Sequence, residues 1–128
     1  MSALPPYAAV LGLAEEQDAD GRPVLVMPFA EEVTGRPGFL HGGALSGLLE
    51  MAAIAGLQQA LREDGGGRVK PINITVDFRR GGRAKETRAV GLVTRLGTRI
   101  ANVTAIAWQD DREAPIATAR FNFLVVRD

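Results

Sequence analysis

The chain contains no cysteine and a single histidine, His41. The first absence excludes disulfides and thiolate metal sites. The second means that a zinc site would need several carboxylates where imidazoles usually stand. No metal or cofactor is therefore expected. Aromatic residues make up only 5% of the sequence, and no stacking motif accompanies the basic residues, which argues against nucleic acid as a partner. No P-loop or dinucleotide fingerprint is present, and no acidic partner for His41 suggests a Ser/His/Asp triad. The opening residues, Met1-Ser2-Ala3-Leu4-Pro5-Pro6, lack a basic region followed by an apolar run. A cytoplasmic protein without a secretory leader is expected on that ground. Only the stretch 42–61 has the length to span a bilayer, and Ser46, Glu50, Gln58 and Gln59 interrupt it. It reads as the buried helix of a soluble domain, with no membrane as partner.

What is present fits one domain over residues 1–128, with an apolar content of 46% that is enough for a sizeable core. The formal net charge is zero, but the charges are not mixed evenly. Acids dominate before His41. From Arg62 to Arg99 the balance reverses, with Arg68, Lys70, Arg79, Arg80, Arg83 and Lys85 among the excess cations. Such a run is either a solvated surface or an anion site for a phosphate-bearing ligand.

Periodicity divides the chain into short strands, one long helix, and then strands only. Residues 7–13 read as a short helix or the lead into a strand. Asp20-Gly21 is a hairpin signal joining strands near 11–17 and 23–29. A loop with Gly35, Pro37 and Gly38 precedes a helix from about Gly43 to Leu61 or Arg62, which Gly65-Gly66-Gly67 ends. Residues 69–79 alternate Ile72, Ile74 and Val76 against Asn73, Thr75 and Asp77, with Phe78 closing the first set, and Gly81-Gly82 breaks the run. Further strands are expected over 87–95, 98–109 and 114–126, joined by turns at Leu96-Gly97 and Asp110–Glu113. The expected fold class is α+β: a long central helix wrapped by a curved antiparallel sheet of five to six strands. The helix is apolar around most of its circumference, so one small sheet should leave a face open to a partner subunit.

Chemistry concentrates at 38–50. His41-Gly42-Gly43 opens the helix, and bare backbone N–H groups at a helix start can hold a developing negative charge. Glu50 is the only ionisable residue from Gly42 to Leu61. A lone acid in an apolar helix is costly unless it is paired, hydrogen-bonded or used. On a helical wheel Gly43, Ser46, Gly47, Ile54 and Leu57 share its side, and the small residues leave room beside the carboxylate. Glu50 and Gly42 stand eight residues apart, about 12 Å along a helix. Either one of them is used alone, or a site combines Gly42 of one subunit with Glu50 of another, twice over by two-fold symmetry. The plainer readings are an acid bonded to a neighbouring strand, a tight turn at the glycines, and a histidine that fixes the loop.

The stretch His41-Gly42-Gly43-Ala44-Leu45 with Glu50 following resembles the hotdog-fold acyl-CoA thioesterases of the phenylacetate-degradation and hydroxybenzoyl-CoA types. The resemblance extends through Thr75-Val76-Asp77-Phe78-Arg79-Arg80 and the later strands. It implies hydrolysis of an aryl-, short- or medium-chain acyl-CoA, with the Gly42 N–H polarising the thioester carbonyl. Glu50 would attack that carbonyl or activate water. It further implies a homodimer, paired into a dimer of dimers, with active sites at the subunit interface. His41, Gly43, Ser46, Asn73 and Thr75 become candidate substrate contacts, and Arg79, Arg80 and Arg83 candidates for the coenzyme A phosphates. The chain departs from the family pattern at Gly35 and Ile54, where relatives carry polar residues. A non-catalytic acyl-CoA-binding protein and a hotdog dehydratase or hydratase stand as alternative readings.

Overall fold

A computed structural model describes residues 4–127. The chain runs α1 (Tyr7–Val10), β1 (Ala14–Gln17), β2 (Pro23–Met27), a 3-10 turn (Glu31–Val33), α2 (Gly42–Arg62), β3 (Arg68–Phe78), β4 (Thr87–Leu96), β5 (Ile100–Trp108) and β6 (Ala117–Val126). The six strands form one antiparallel sheet in the order β1-β2-β4-β5-β6-β3, and α2 lies against it. This is the α+β hotdog arrangement that the sequence led us to expect.

Local chemistry sets the ends of α2. The imidazole of His41 caps its start, accepting a 2.8 Å hydrogen bond from the Gly43 N–H through Nδ1. At the far end Gly65 and Gly66 take φ of +90° and +82°, which a side chain would resist, and the Gly66 N–H closes back on the Leu61 carbonyl. In between, the helix meets the sheet backbone to backbone. A Cβ on Gly91 of β4 would stand 2.4 Å from the Ala52 carbonyl oxygen, and one on Gly56 would stand 2.5 Å from the Gly91 carbonyl oxygen. That approach lets Leu48, Leu49 and Leu57 of α2 bury completely in one core with Phe123 of β6.

Two expectations change. The sheet is not sequential after α2: β3 pairs with β6 and becomes an edge, so residues 79–86 cross to the middle of the sheet instead of turning back. This crossing runs beside the loop before α2, held by the Leu40 N–H on the Gly82 carbonyl and a bridge between Phe39 and Arg83. The open apolar face also lies elsewhere. Ile54 and Leu57 are buried within the chain, because Ala8, Leu11 and Leu13 of the N-terminal segment join the sheet in covering α2. Apart from Val10 of α1, the most exposed large apolar side chains lie on β3 instead, at Ile72 (53% exposed) and Phe78 (57%), with Ile74 (41%) between them. An edge strand has a neighbour on one side only. A bulge between Pro71 and Asn73 takes Ile72 out of the alternation, leaving Ile74, Val76 and Phe78 on the face toward α2.

The helix is long and apolar enough to cross a membrane by composition, but 72% of its apolar window is buried in this fold, as befits a core helix.

Candidate active site

The loop 34–40, the first turn of α2 and the end of β3 line an open recess of about 390 Å³. Gly42 forms its floor. Its N–H has no hydrogen-bond partner among the described residues, because the first-turn donors of a helix have no intrahelical acceptor and the cap serves Gly43 alone. The Phe78 ring lies over Gly42, and a Cβ there would stand 3.2 Å from the ring. The absence of a side chain at Gly42 gives the aromatic ring its place. Gly43 answers to the cap, since a Cβ would stand 2.9 Å from His41 Nδ1. An Nδ1 that accepts from Gly43 carries no proton, so the His41 proton sits on Nε2. His41 is built here as the device that sets the helix start.

Arg36, Arg79 and Arg80 line the same recess. Two guanidinium groups stack on the Phe39 ring, Arg36 at 4.0 Å and Arg83 at 4.5 Å from its centre, both cation–π contacts. Gln109 fixes the backbone of Arg83 from both sides, donating to its carbonyl and accepting from its N–H, each at 3.0 Å. Beyond Phe39 a second recess of about 410 Å³ is lined by Arg80, Arg83, Asp110 and Asp111. Among the described residues Arg36, Arg79, Arg80 and Arg83 make no ion pair with a carboxylate; Arg79 Nε donates to the Thr118 hydroxyl at 3.0 Å. Four guanidiniums without carboxylate partners among the described residues, around two recesses that share Phe39, Arg80 and Gly81, are suited to phosphate.

Glu50 is absent from both recesses. It is half-buried on α2, on one stripe with half-buried Ser46 and Gly47, and its carboxylate has no hydrogen bond or ion pair among the described residues. One chain therefore does not bring Gly42 and Glu50 together. Asn73 and Thr75 are not brought to either. They pair with Asn122 and Arg120 on the face of the sheet turned away from α2, where Asn122 bridges Asn102 and Asn73 in a polar ladder. Among the described residues no cluster of three or more His, Asp or Glu side chains could hold a metal ion.

Sequence reasoning missed Arg36, Phe39 and Phe78. The only local signal was the position of two of a few aromatics immediately beside basic residues, Phe39 near Arg36 and Phe78 before Arg79-Arg80.

A single long helix wrapped by one antiparallel sheet, with an unpartnered N–H at the helix start, defines a hotdog-fold protein. The chain belongs to the Thioesterase superfamily, whose family profile matches residues 37–116. It is similar to a protein of Chromobacterium violaceum, with 33% identity over 98% of this chain and 85% of that one and a TM-score of 0.76. Two others share the fold at lower identity. A Bacillus halodurans protein solved with CoA is 19% identical over 100% of this chain and 83% of that one, with a TM-score of 0.81. A putative thioesterase of Ralstonia eutropha, described as phenylacetic acid degradation-related, is 24% identical over 95% and 91%, with a TM-score of 0.80. No curated protein sequence matches the chain.

Proposed function

We propose that the protein hydrolyses an acyl-CoA thioester to the free acid and coenzyme A in the cytoplasm, as a homodimer that pairs into a dimer of dimers. Each site joins Gly42 of one subunit to Glu50 of the other. The observation that carries this reading is the unpartnered Gly42 N–H, at a recess lined by arginines without carboxylate partners among the described residues. The thioester carbonyl oxygen would accept from that N–H, and the helix dipole would favour the negative charge that grows on it. The guanidiniums of Arg36, Arg79, Arg80 and Arg83 would hold the phosphates of coenzyme A.

The partner subunit's Glu50 supplies the attack, either taking a proton from water or adding to the carbonyl itself. In both cases the carbon–sulfur bond breaks, the thiol leaves with a proton, and one water is consumed. Single-turnover hydrolysis in heavy-oxygen water separates the two, because only direct attack leaves label in Glu50. Aryl, short-chain and medium-chain acyl groups are the candidate substrates.

A panel of acyl-CoA thioesters with thiol detection tests the proposal. Turnover of at least one of them, lost in Glu50→Gln, is the expected result. A second reading, an acyl-CoA-binding protein without turnover, draws on Gly35 and the buried Ile54, which offer no side-chain polar group at positions where the resemblance places one. Tight binding of a non-hydrolysable analogue with no hydrolysis across the panel would favour it.

A further inference from the structure

The N-terminal segment places a phenol on the stripe that carries Glu50. The hydroxyl end of the Tyr7 ring packs against Gly47: a Cβ there would stand 2.8 Å from Tyr7 Cε2 and 2.9 Å from its hydroxyl oxygen. Only glycine allows this, and Gly47 is one turn before Glu50. Long side chains on a helix lean toward its N-terminus, so the Glu50 carboxylate covers the turn of Ser46 and Gly47 over which the phenol sits. Tyr7 is 44% exposed and its hydroxyl has no hydrogen-bond partner among the described residues. Neither has the Glu50 carboxylate. The phenol is a donor and the carboxylate an acceptor only, so the two unspent groups are complementary.

We propose that Tyr7 is a positioning residue: its phenol O–H, which makes no hydrogen bond to Glu50 in this structure, turns to donate to the Glu50 carboxylate and holds it in the orientation that attacks or activates water. The inference deepens the thioesterase reading and rests on it for its catalytic consequence. It explains why α1 is laid across α2 at a glycine. It also gives the acid a polar neighbour in a chain that has Gly35 and Ile54 where polar residues were expected. Such hydrogen bonds are often long in a free enzyme and tighten when substrate is seated.

Tyr7→Phe keeps the ring on Gly47 and Leu11 and removes only the hydroxyl, so the fold should survive. We expect kcat to fall about 10- to 100-fold, the scale of one hydrogen bond to a charged group, with KM unchanged. The same substitution should add nothing in a Glu50→Gln background, because a positioning residue acts only through the group it positions. The chain has one tyrosine, so ring-labelled tyrosine gives a single resonance per subunit. That resonance should move in Glu50→Gln. A resonance unchanged by Glu50→Gln, or a Tyr7→Phe enzyme with wild-type kcat, overturns the proposal. If wild type hydrolyses nothing, the thioesterase reading fails, and the tyrosine resonance alone decides whether the phenol and the carboxylate touch.

Discussion

The β1–β2 hairpin and the Glu50 turn of α2 each hold a partly covered carboxylate, and the molecule treats the two in opposite ways. Asp18, with a side chain 10% exposed, accepts from the backbone N–H groups of Asp20 and Arg22 at 2.9 Å and from Arg112 at 3.3 Å. Glu50 accepts from nothing among the described residues. Buried polar groups in folded proteins are almost always satisfied, so a carboxylate with three donors reads as structure. One left bare beside small residues is available for chemistry. The arginines divide in the same way. Arg88 is held by Glu16 and Glu86 and Arg112 by Asp18, while Arg36, Arg79 and Arg80 line one recess and Arg83 the next without a carboxylate partner among the described residues.

The comparison breaks first at Glu50. Glu50→Gln should lower turnover by about 10²–10⁴-fold, the range of a lost general base, while the melting temperature stays level or rises. A large loss of stability would mean that the carboxylate has a structural partner after all. Gly42→Pro attacks the other half. Proline suits the first helical position and His41 at ψ 137° tolerates a following proline, but the N–H is gone; Gly42→Ala, which adds the same Cβ 3.2 Å from the Phe78 ring and keeps the N–H, is the control. Loss of one oxyanion donor costs about 10²–10³-fold in kcat. Refolding these two inactive variants together then asks where the site is. If it joins two subunits, half the dimers are mixed and each has one intact site, so about a quarter of wild-type activity should return. No recovery would place both groups in one subunit.

Edge and interior strands sharpen the same contrast. β6 spends its edges on β5 and β3, whereas β3 has one edge and two isoleucines uncovered. A strand with one edge unpaired is a template for another chain, and here Lys70, Pro71 and the bulge blunt only its first half. Ile72→Lys combined with Ile74→Lys should shift the protein toward the 13.6 kDa monomer, read by mass in solution, and take activity with it. Full activity in a monomer would remove the need for a shared site.

The helix was legible in the sequence because everything that defines it is local: an apolar run with one acid, a histidine and glycines before it, three glycines after. The hairpin at Asp20-Gly21 was legible for the same reason. The position of β3 was not, because nothing within 68–78 says that its neighbour is β6, some 40 residues on, and not β4. That pairing decides which surface is bare, so the open face was sought on α2 and lies on β3. Asn73 and Thr75 were drawn toward the site by resemblance. Their own alternation already opposed them to Ile74 and Val76, and the sheet turns that face outward. Tyr7 on Gly47, and Arg83 on Phe39, are contacts between segments far apart in the chain, which composition and spacing do not encode.

The smallest expected effect comes from the satisfied acid. Burial alone would push the Asp18 carboxyl up, but the hydrogen bonds from Arg22, Asp20 and Arg112 outweigh it and hold the group below its ordinary value. A carboxyl lowered by folding stabilises the native state at pH values above the ordinary aspartate range, and that contribution disappears as pH falls through the lowered value. Asp18→Asn should therefore cost about 1 kcal/mol at neutral pH, since an amide oxygen accepts the same bonds without the charge. Thermal melts should show the gap between wild type and variant closing as the pH is taken into the acid range, with turnover at neutral pH unaffected. Glu50→Gln should do the reverse, removing turnover and leaving the melt. If both variants lost both properties, the division between an acid that builds the fold and an acid that works in it would be gone.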